Sequence, residues 1–527
     1  MEKHHARLHR LGQRKSTMTA SPSAEPGALR VLVATPLVTF LPPGAGALPD
    51  ALPGETAAPS VLDAAFISAL SAAGVELHVA FPHYRPMFQE VLAARAQREL
   101  QALRAALPPT RIHPAEDRAF YYRAPAGPAP DLALRLALIF QRDVAARLLP
   151  LVRPHLLHAG DWMTGLLPAA ARARGLPCLF TLHQAHTRQA PLTLAEHCGW
   201  DPQPFWRQLY YARMPEAYEQ TRQSNPVDFL ASGVFAADFL TAASPSYLNE
   251  LAAGAVPQAP AAVSREAARQ QAAGAAAGIL FPPHPSFDPA TDDALPARYG
   301  PDDHPAAKRR CKQEFLRAVG LPEDDAPPLF FWPSRLQPEQ KGCELLLHLL
   351  PEIAARPERP LRVALVADGL HQKPFRDLVE HRGLGAAVAV RGFAPELSRL
   401  GYAAADYVLA PALWEPAGRA AMTALRYGAL PVARRTGALA DLLRHLEPAR
   451  DAGNGFVFET YDANGLRWAI EQALAFHQLP AAARAAQIAR VMREAQSALT
   501  LEACARRHAA LYAALAGARP APPEVAP

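Results

Sequence analysis

Short apolar runs alternate along this chain with longer stretches of helical period, the pattern left by strands and helices that follow one another through a parallel sheet. Leu29-Arg30-Val31-Leu32-Val33-Ala34-Thr35-Pro36 reads as a first buried strand ending in a turn. Residues 61–73 read as an amphipathic helix and Val75-Glu76-Leu77-His78-Val79-Ala80-Phe81 as the next strand. A long helical region surrounds residues 88–107. Leu156-Leu157-His158-Ala159-Gly160-Asp161 and Cys178-Leu179-Phe180-Thr181-Leu182-His183 are two further strand ends. A helix over 163–175 joins them into a βαβ unit of right-handed crossover. Residues 229–244 repeat helix then strand, residues 257–303 mix helix and loop, and a basic helix within 303–325 makes the connection to a second series. That series places strands at Leu329-Phe330-Phe331-Trp332-Pro333, 361–367, 387–390, 407–410 and 430–433, with helices at 343–355 and 419–427. Terminal helices occupy 463–476 and 481–515.

Two such series predict an α/β chain of two Rossmann-like, doubly wound domains facing a cleft. The expected division is a disordered basic leader over 1–28, an N-terminal domain over 29–315 and a C-terminal domain over 326–485. A C-terminal helix over 486–517 packs back on the first domain, and a disordered tail fills 518–527.

Composition narrows the partners. Half of the 527 residues are hydrophobic and 20% are charged, enough for large cores. No apolar run reaches membrane-spanning length, so no membrane partner is expected. The formal net charge of +5 is spread thinly, without a Lys/Arg block interleaved with aromatics, which argues against nucleic acid. The cysteines (Cys178, Cys198, Cys311, Cys343 and Cys504) show no CxxC pairing, so a cytoplasmic location is expected. No HExxH, P-loop or GxSxG element occurs; neither a metal nor a cofactor is expected.

Ligands of doubly wound sheets sit beyond the carboxyl ends of the strands. Ser334-Arg335-Leu336-Gln337-Pro338-Glu339-Gln340-Lys341-Gly342 follows the first strand of the second series, and Trp414-Glu415-Pro416-Ala417-Gly418-Arg419 follows the strand at 407–410. Arg335 offers a planar fork to phosphate oxygens and Lys341 a mobile point charge. Gly418 permits close backbone approach and opens a helix whose free N–H groups face an anion. With Glu415, these make a cradle for a diphosphate leaving group, which points to sugar transfer from a nucleotide sugar. Glu415 has a helix-capping alternative. Thr436-Gly437-Ala438-Leu439 supplies another turn after another strand. In the first series His183, with His186 nearby, either bonds a sugar hydroxyl or is a satisfied core histidine. Asp161 either orients the sugar or acceptor, or caps the following helix.

In this order the segments resemble the bacterial glycogen synthase and plant starch synthase family. The resemblance runs through Leu157-His158-Ala159-Gly160-Asp161-Trp162, Phe180-Thr181-Leu182-His183, Phe229-Leu230-Ala231-Ser232-Gly233-Val234, Ser334-Arg335-Leu336 with Gln340-Lys341-Gly342, Glu415-Pro416 with Gly418, Tyr427-Gly428-Ala429-Leu430-Pro431, Arg435-Thr436-Gly437 and Asn454-Gly455-Phe456. It implies the two-Rossmann glycosyltransferase fold. It also implies retaining transfer of glucose from ADP-glucose to the non-reducing end of an α-1,4-glucan, with those two molecules as partners. Arg335 and Lys341 then bind the diphosphate, Glu415 lies at the reacting glucose and His183 contacts the transferred sugar. Asp161, Gly418, Arg419, Thr436 and Gly437 are the implied substrate-binding positions. The sequence departs from the family at its Lys-x-Gly-Gly-Leu loop, where Glu55-Thr56-Ala57-Ala58-Pro59, or in another register Pro43-Gly44-Ala45-Gly46-Ala47-Leu48, has no lysine. Ala417, Arg419 and Ala438 replace the family's Cys, Leu and Gly. Thr423 stands where sucrose- and trehalose-type relatives carry a second Glu. The lost loop sustains a second expectation, a catalytically weakened or inactive glucan- or nucleotide-sugar-binding relative with a regulatory role.

Overall fold

The apolar runs pair into two parallel sheets in the computed structural model, which describes residues 28–35, 64–82, 111–115, 117–120, 132–356 and 358–517. The expected leader up to residue 27, both registers of the Lys-x-Gly-Gly-Leu position, the helical region 88–107 and the tail from 518 lie outside the described residues.

In chain order, the first lobe contains β1 (Leu29–Ala34), β2 (Val75–Pro82), β3 (Ile112–Ala115), β4 (Leu156–Gly160), β5 (Cys178–Leu182), a small antiparallel ribbon of β6 (Gln189–Ala190) and β7 (Val227–Asp228), β8 (Phe239–Ala242) and β9 (Ala276–Gly278). Its main sheet runs β3-β2-β1-β4-β5-β8-β9. The second lobe contains β10 (Leu329–Trp332), β11 (Arg362–Val366), β12 (Val388–Arg391), β13 (Tyr407–Ala410), β14 (Leu430–Arg434) and β15 (Phe456–Phe458), ordered β12-β11-β10-β13-β14-β15. Neighbouring strands of both main sheets are parallel. Strands such as β5, β10, β11 and β13 are buried throughout because helices cover both sheet faces, which is why they read as unbroken apolar runs. Each strand order reverses beside its lobe's first strand, between β1 and β4 and between β10 and β13. These two reversals are where open parallel sheets leave a crevice.

Two domain boundaries differ from the sequence expectation. The helix His304–Val319, placed at the end of the first domain or in the connection, packs Cys311, Phe315, Leu316 and Val319 against Phe331 and Val408 of the second lobe. Two of its basic residues, Lys308 and Lys312, are buried rather than solvated. Lys308 Nζ donates to the carbonyls of Ala403, Ala405 and Tyr427 at 2.9–3.0 Å, and Lys312 Nζ lies 2.7 Å from Asp406 Oδ2. The handover between lobes therefore precedes this helix, and the boundary at 315 moves back. The terminal helix expected over 481–515 breaks at residues 499–500 into Ala481–Ala498 and Leu501–Gly517. The former packs on the second-lobe helix Arg419–Arg426, the latter on the first-lobe helix Ala64–Ala72 and on β1. The return to the first lobe thus starts at Leu501 rather than 486. Tyr512 at its far end is fully buried, and its hydroxyl lies 2.7 Å from His158 Nδ1 on β4.

Candidate active site

A cavity of about 370 Å³ lies between the lobes at the two strand-order reversals. His183, Gln184 and His186 come to it from the turn after β5; Arg335, Gln340 and Lys341 from the segment after β10; Glu415 and Arg419 from the turn after β13. The cations, carboxylate and histidine that are far apart in sequence are therefore gathered by strand order alone.

The second-lobe wall is built around Glu415. Lys341 Nζ lies 2.7 Å from Glu415 Oε2, with both side chains mostly buried, and the Gly418 amide donates to Oε1 at 3.2 Å. The carboxylate is thus divided between an ammonium and the amide at the start of the helix Arg419–Arg426. Its loop is tied to the lysine segment: the Leu413 amide donates to the Gln340 carbonyl at 2.7 Å, and Gln340 Nε2 to the Trp414 carbonyl at 3.3 Å. Gly342 allows that approach, with φ of +77°; a Cβ there would come within 2.2 Å of the Pro411 carbonyl oxygen. On the opposite side the Ala438 amide donates to the Glu415 carbonyl at 2.8 Å. Gly437, with φ of +46°, passes so close that a Cβ would sit 2.2 Å from that oxygen. Arg335 is exposed at the cavity mouth; among the described residues its guanidinium makes no hydrogen bond or ion pair. Arg419 extends along the cavity with its guanidinium carbon 5.7 Å from the Phe281 ring centre.

On the first-lobe wall, Asp161 Oδ1 accepts from the His183 amide at 2.9 Å and Oδ2 lies 2.8 Å from His183 Nδ1. Asp161 makes no side-chain cap, which removes the capping alternative. Its backbone is held at φ 57°, ψ 174°, a conformation costing a non-glycine residue on the order of 1–3 kcal/mol and concentrated at functional sites. With Nδ1–H donated to the carboxylate, His183 presents Nε2 as an acceptor. That atom is buried and has no hydrogen-bond partner among the described residues, so His183 is not a satisfied core histidine. His186 packs edge-on to Trp162 at 6.3 Å between ring centres, and burial lowers its pKa against the opposing pull of Asp161.

Known proteins resemble this chain in sequence and in fold. Residues 64–258 match the starch synthase catalytic domain family and residues 313–491 the glycosyl transferases group 1 family. A glycogen synthase of Anaeromyxobacter sp. (strain Fw109-5) is 32% identical over 377 residues, covering 69% of this chain and 74% of that protein. The chain belongs to the glycogen synthase family. Another member, from Paramagnetospirillum magneticum, is 34% identical over 371 residues, covering 66% and 69% of the two chains. In fold, the chain matches the catalytic domain of starch synthase IV from Arabidopsis thaliana, solved with ADP and acarbose, at a TM-score of 0.71 and 21% identity, covering 93% of this chain and all of that one. It is accordingly a hexosyltransferase of the two-Rossmann glycosyltransferase fold.

Within this family member, the sequence-derived residues fall into two groups. Arg335, Lys341, Glu415, His183 and Arg419 line the cavity. Asp161 stands behind His183, and Gly418 behind Glu415. Thr436 and Gly437 are outside the lining and hold a residue that sequence reasoning missed: Thr436 Oγ1 donates to the Glu250 carboxylate at 3.0 Å and the Gly437 amide donates to it at 2.7 Å. Gln184 and Gln258 in the lining were also missed; Gln184 follows a strand end, whereas Gln258 lies in a loop between two helices that carries no such signal. Outside the lining, Phe393 is half exposed just beyond β12. Its amide donates to Asp368 Oδ1, and the Asp368 carbonyl accepts from Leu336, the neighbour of Arg335.

Proposed function

We propose that this family member uses ADP-glucose as donor and extends the non-reducing end of an α-1,4-glucan with retention of configuration. The reading is carried by the 2.7 Å Lys341–Glu415 pair within one cavity that also holds Arg335 and His183. Before donor binds, Glu415 neutralises Lys341. An incoming diphosphate competes for that ammonium and takes the guanidinium of Arg335, so negative charge developing on the leaving group meets two cations. Glu415, released from Lys341 but still on the Gly418 amide, faces the reacting glucose. Nε2 of His183 accepts from a hydroxyl of the transferred sugar, and Asp161 fixes that ring's tautomer and orientation. Arg419 adds positive charge beside the phosphates. Thr436 and Gly437 serve the substrate indirectly, by bracing the Glu415 loop.

The deciding experiment is incorporation of radiolabelled glucose into glycogen from ADP-glucose and, in parallel, UDP-glucose. Incorporation from ADP-glucose is the expected result. Preferential incorporation from UDP-glucose would reassign the donor. No incorporation from either, with glucan binding intact, would replace this reading by the weakened, regulatory relative.

A further inference from the structure

Each lobe presents a carboxylate to the start of a helix in the other. From the first lobe, Glu250 reaches Thr436 Oγ1 and the Gly437 amide at the head of the helix Gly437–Leu442. From the second, Asp441 in that helix accepts from the Ser246 amide at 2.9 Å and from Ser246 Oγ at 2.7 Å, at the head of the helix Pro245–Ala252 that carries Glu250. The two contacts are reciprocal and join the same pair of helices. Among the described residues neither carboxylate has a Lys or Arg partner within 4 Å; both depend on amide and hydroxyl donors from across the gap. Such contacts are directional but not strongly charge-paired, as suits lobes that open and close.

The clasp connects to the site by one residue step. Glu250 holds the Gly437 amide, and the next amide, of Ala438, holds the Glu415 carbonyl. The residue before Glu415 is fixed from the same side, because Trp414 is buried in the first lobe's apolar cluster. Glu415 belongs to the second lobe and its loop is tied to Gln340 there, yet it is flanked by two positions, Trp414 and Gly437, that contact the first lobe. We infer that Glu250 and Asp441 are positioning residues, a two-carboxylate clasp that closes the lobes and thereby sets Glu415 in the cavity. Opening the clasp releases the turn beneath the Glu415 carbonyl from its first-lobe anchor and Trp414 from its pocket together, so the reacting constellation is set only in the closed form.

The kinetic part of the test rests on the proposed transfer reaction; the distance part does not. All five native cysteines are buried, so spin labels on the exposed positions Ala273→Cys and Arg382→Cys report the spacing of the lobes in the full chain. Glu250→Ala with Asp441→Ala is expected to lengthen and broaden that distance distribution. The same pair should lower kcat at saturating donor tenfold or more, roughly the effect of a misplaced catalytic group, while donor KM changes less. Glu250→Gln keeps a carbonyl acceptor for the Gly437 amide and should retain most of the wild-type distance and kcat; Ser246→Ala, a mild change that removes one bond, should fall between. A wild-type distance distribution in the double variant would overturn the clasp, and so would a lowered Tm with distance and kcat unchanged. Should the unaltered chain transfer no glucose, the proposed reaction fails while the distances still judge the clasp.

Discussion

At the scale of single residues, the site separates groups that meet substrate from groups that hold them. In the proposed function Lys341 belongs to the first class. Lys341→Ala removes one donor from a developing anion, a loss usually worth about 10²–10³ in turnover. Steady-state rates should fall by that order while glucan affinity, measured by co-sedimentation, stays within a few-fold; equal losses in both would remove Lys341 from the phosphates. Tyr247 makes a sharper case. It is fully buried, its hydroxyl has no partner among the described residues, and burial together with Asp161, Glu250 and Glu415 pushes its pKa up, so it stays a neutral phenol. Deleting an unsatisfied buried hydroxyl is neutral or stabilising. Tyr247→Phe should therefore leave Tm unchanged or raise it, and a drop of several degrees would show that the hydroxyl is paired in solution. The chemistry-bearing side chains Arg335, Lys341, Glu415 and His183 were legible because they are unusual residues at strand ends. Glu250, Asp441 and Tyr247 were not, since an ordinary-looking helix carries no mark of what it meets across a lobe boundary.

Among elements, the final helix has the plainest conditional behaviour. His508 on Leu501–Gly517 is buried and His158 on β4 partly buried, with ring centres 6.2 Å apart. Burial lowers His508 to about 4, and burial, then the neighbouring His508 and His183, lowers His158 well below the ordinary range. Both are neutral in the fold, whereas in the unfolded chain they titrate near 6.5. Between pH 6.5 and 4 the unfolded chain binds more protons, so folding weakens as pH falls; His508 alone accounts for up to about 3 kcal/mol. Urea melts at pH 7.5, 6 and 5 should show this slope. His508→Phe, which keeps an aromatic ring beside Phe66, should flatten it; an unchanged slope would place the proton uptake elsewhere. The strands of this fold were readable where apolar runs are long, as in β1, β5 and β13. β9 (Ala276–Gly278) was lost in an Ala-rich stretch because three small residues carry no period, and the break at 499–500 was hidden because both flanking helices share one composition.

For the whole molecule, the doubled strand–helix alternation was enough to give two Rossmann-like lobes and a cleft. The place where the chain changes lobes was not, because Lys308 and Lys312 look like solvated charge in the sequence and are satisfied beneath the surface instead. The chain crosses again at residues 499–500, and Leu501, Cys504, Ala505 and Tyr512 complete the apolar cluster of Val31, Val33, Leu77 and Val79. A version ending at residue 498 should express as aggregated or protease-sensitive protein although it retains every cavity-lining residue; limited proteolysis checks this, and a resistant first lobe would refute it.

That last contact has a consequence for biosynthesis. The strands β1 and β2 wait for a partner made more than 400 residues later, whereas the second lobe's own sheet is complete once β15 has been made. The usual vectorial order, amino-terminal unit first, is thereby inverted for one face of this protein. The nascent first lobe keeps that apolar face uncovered until residues 501–512 have been made.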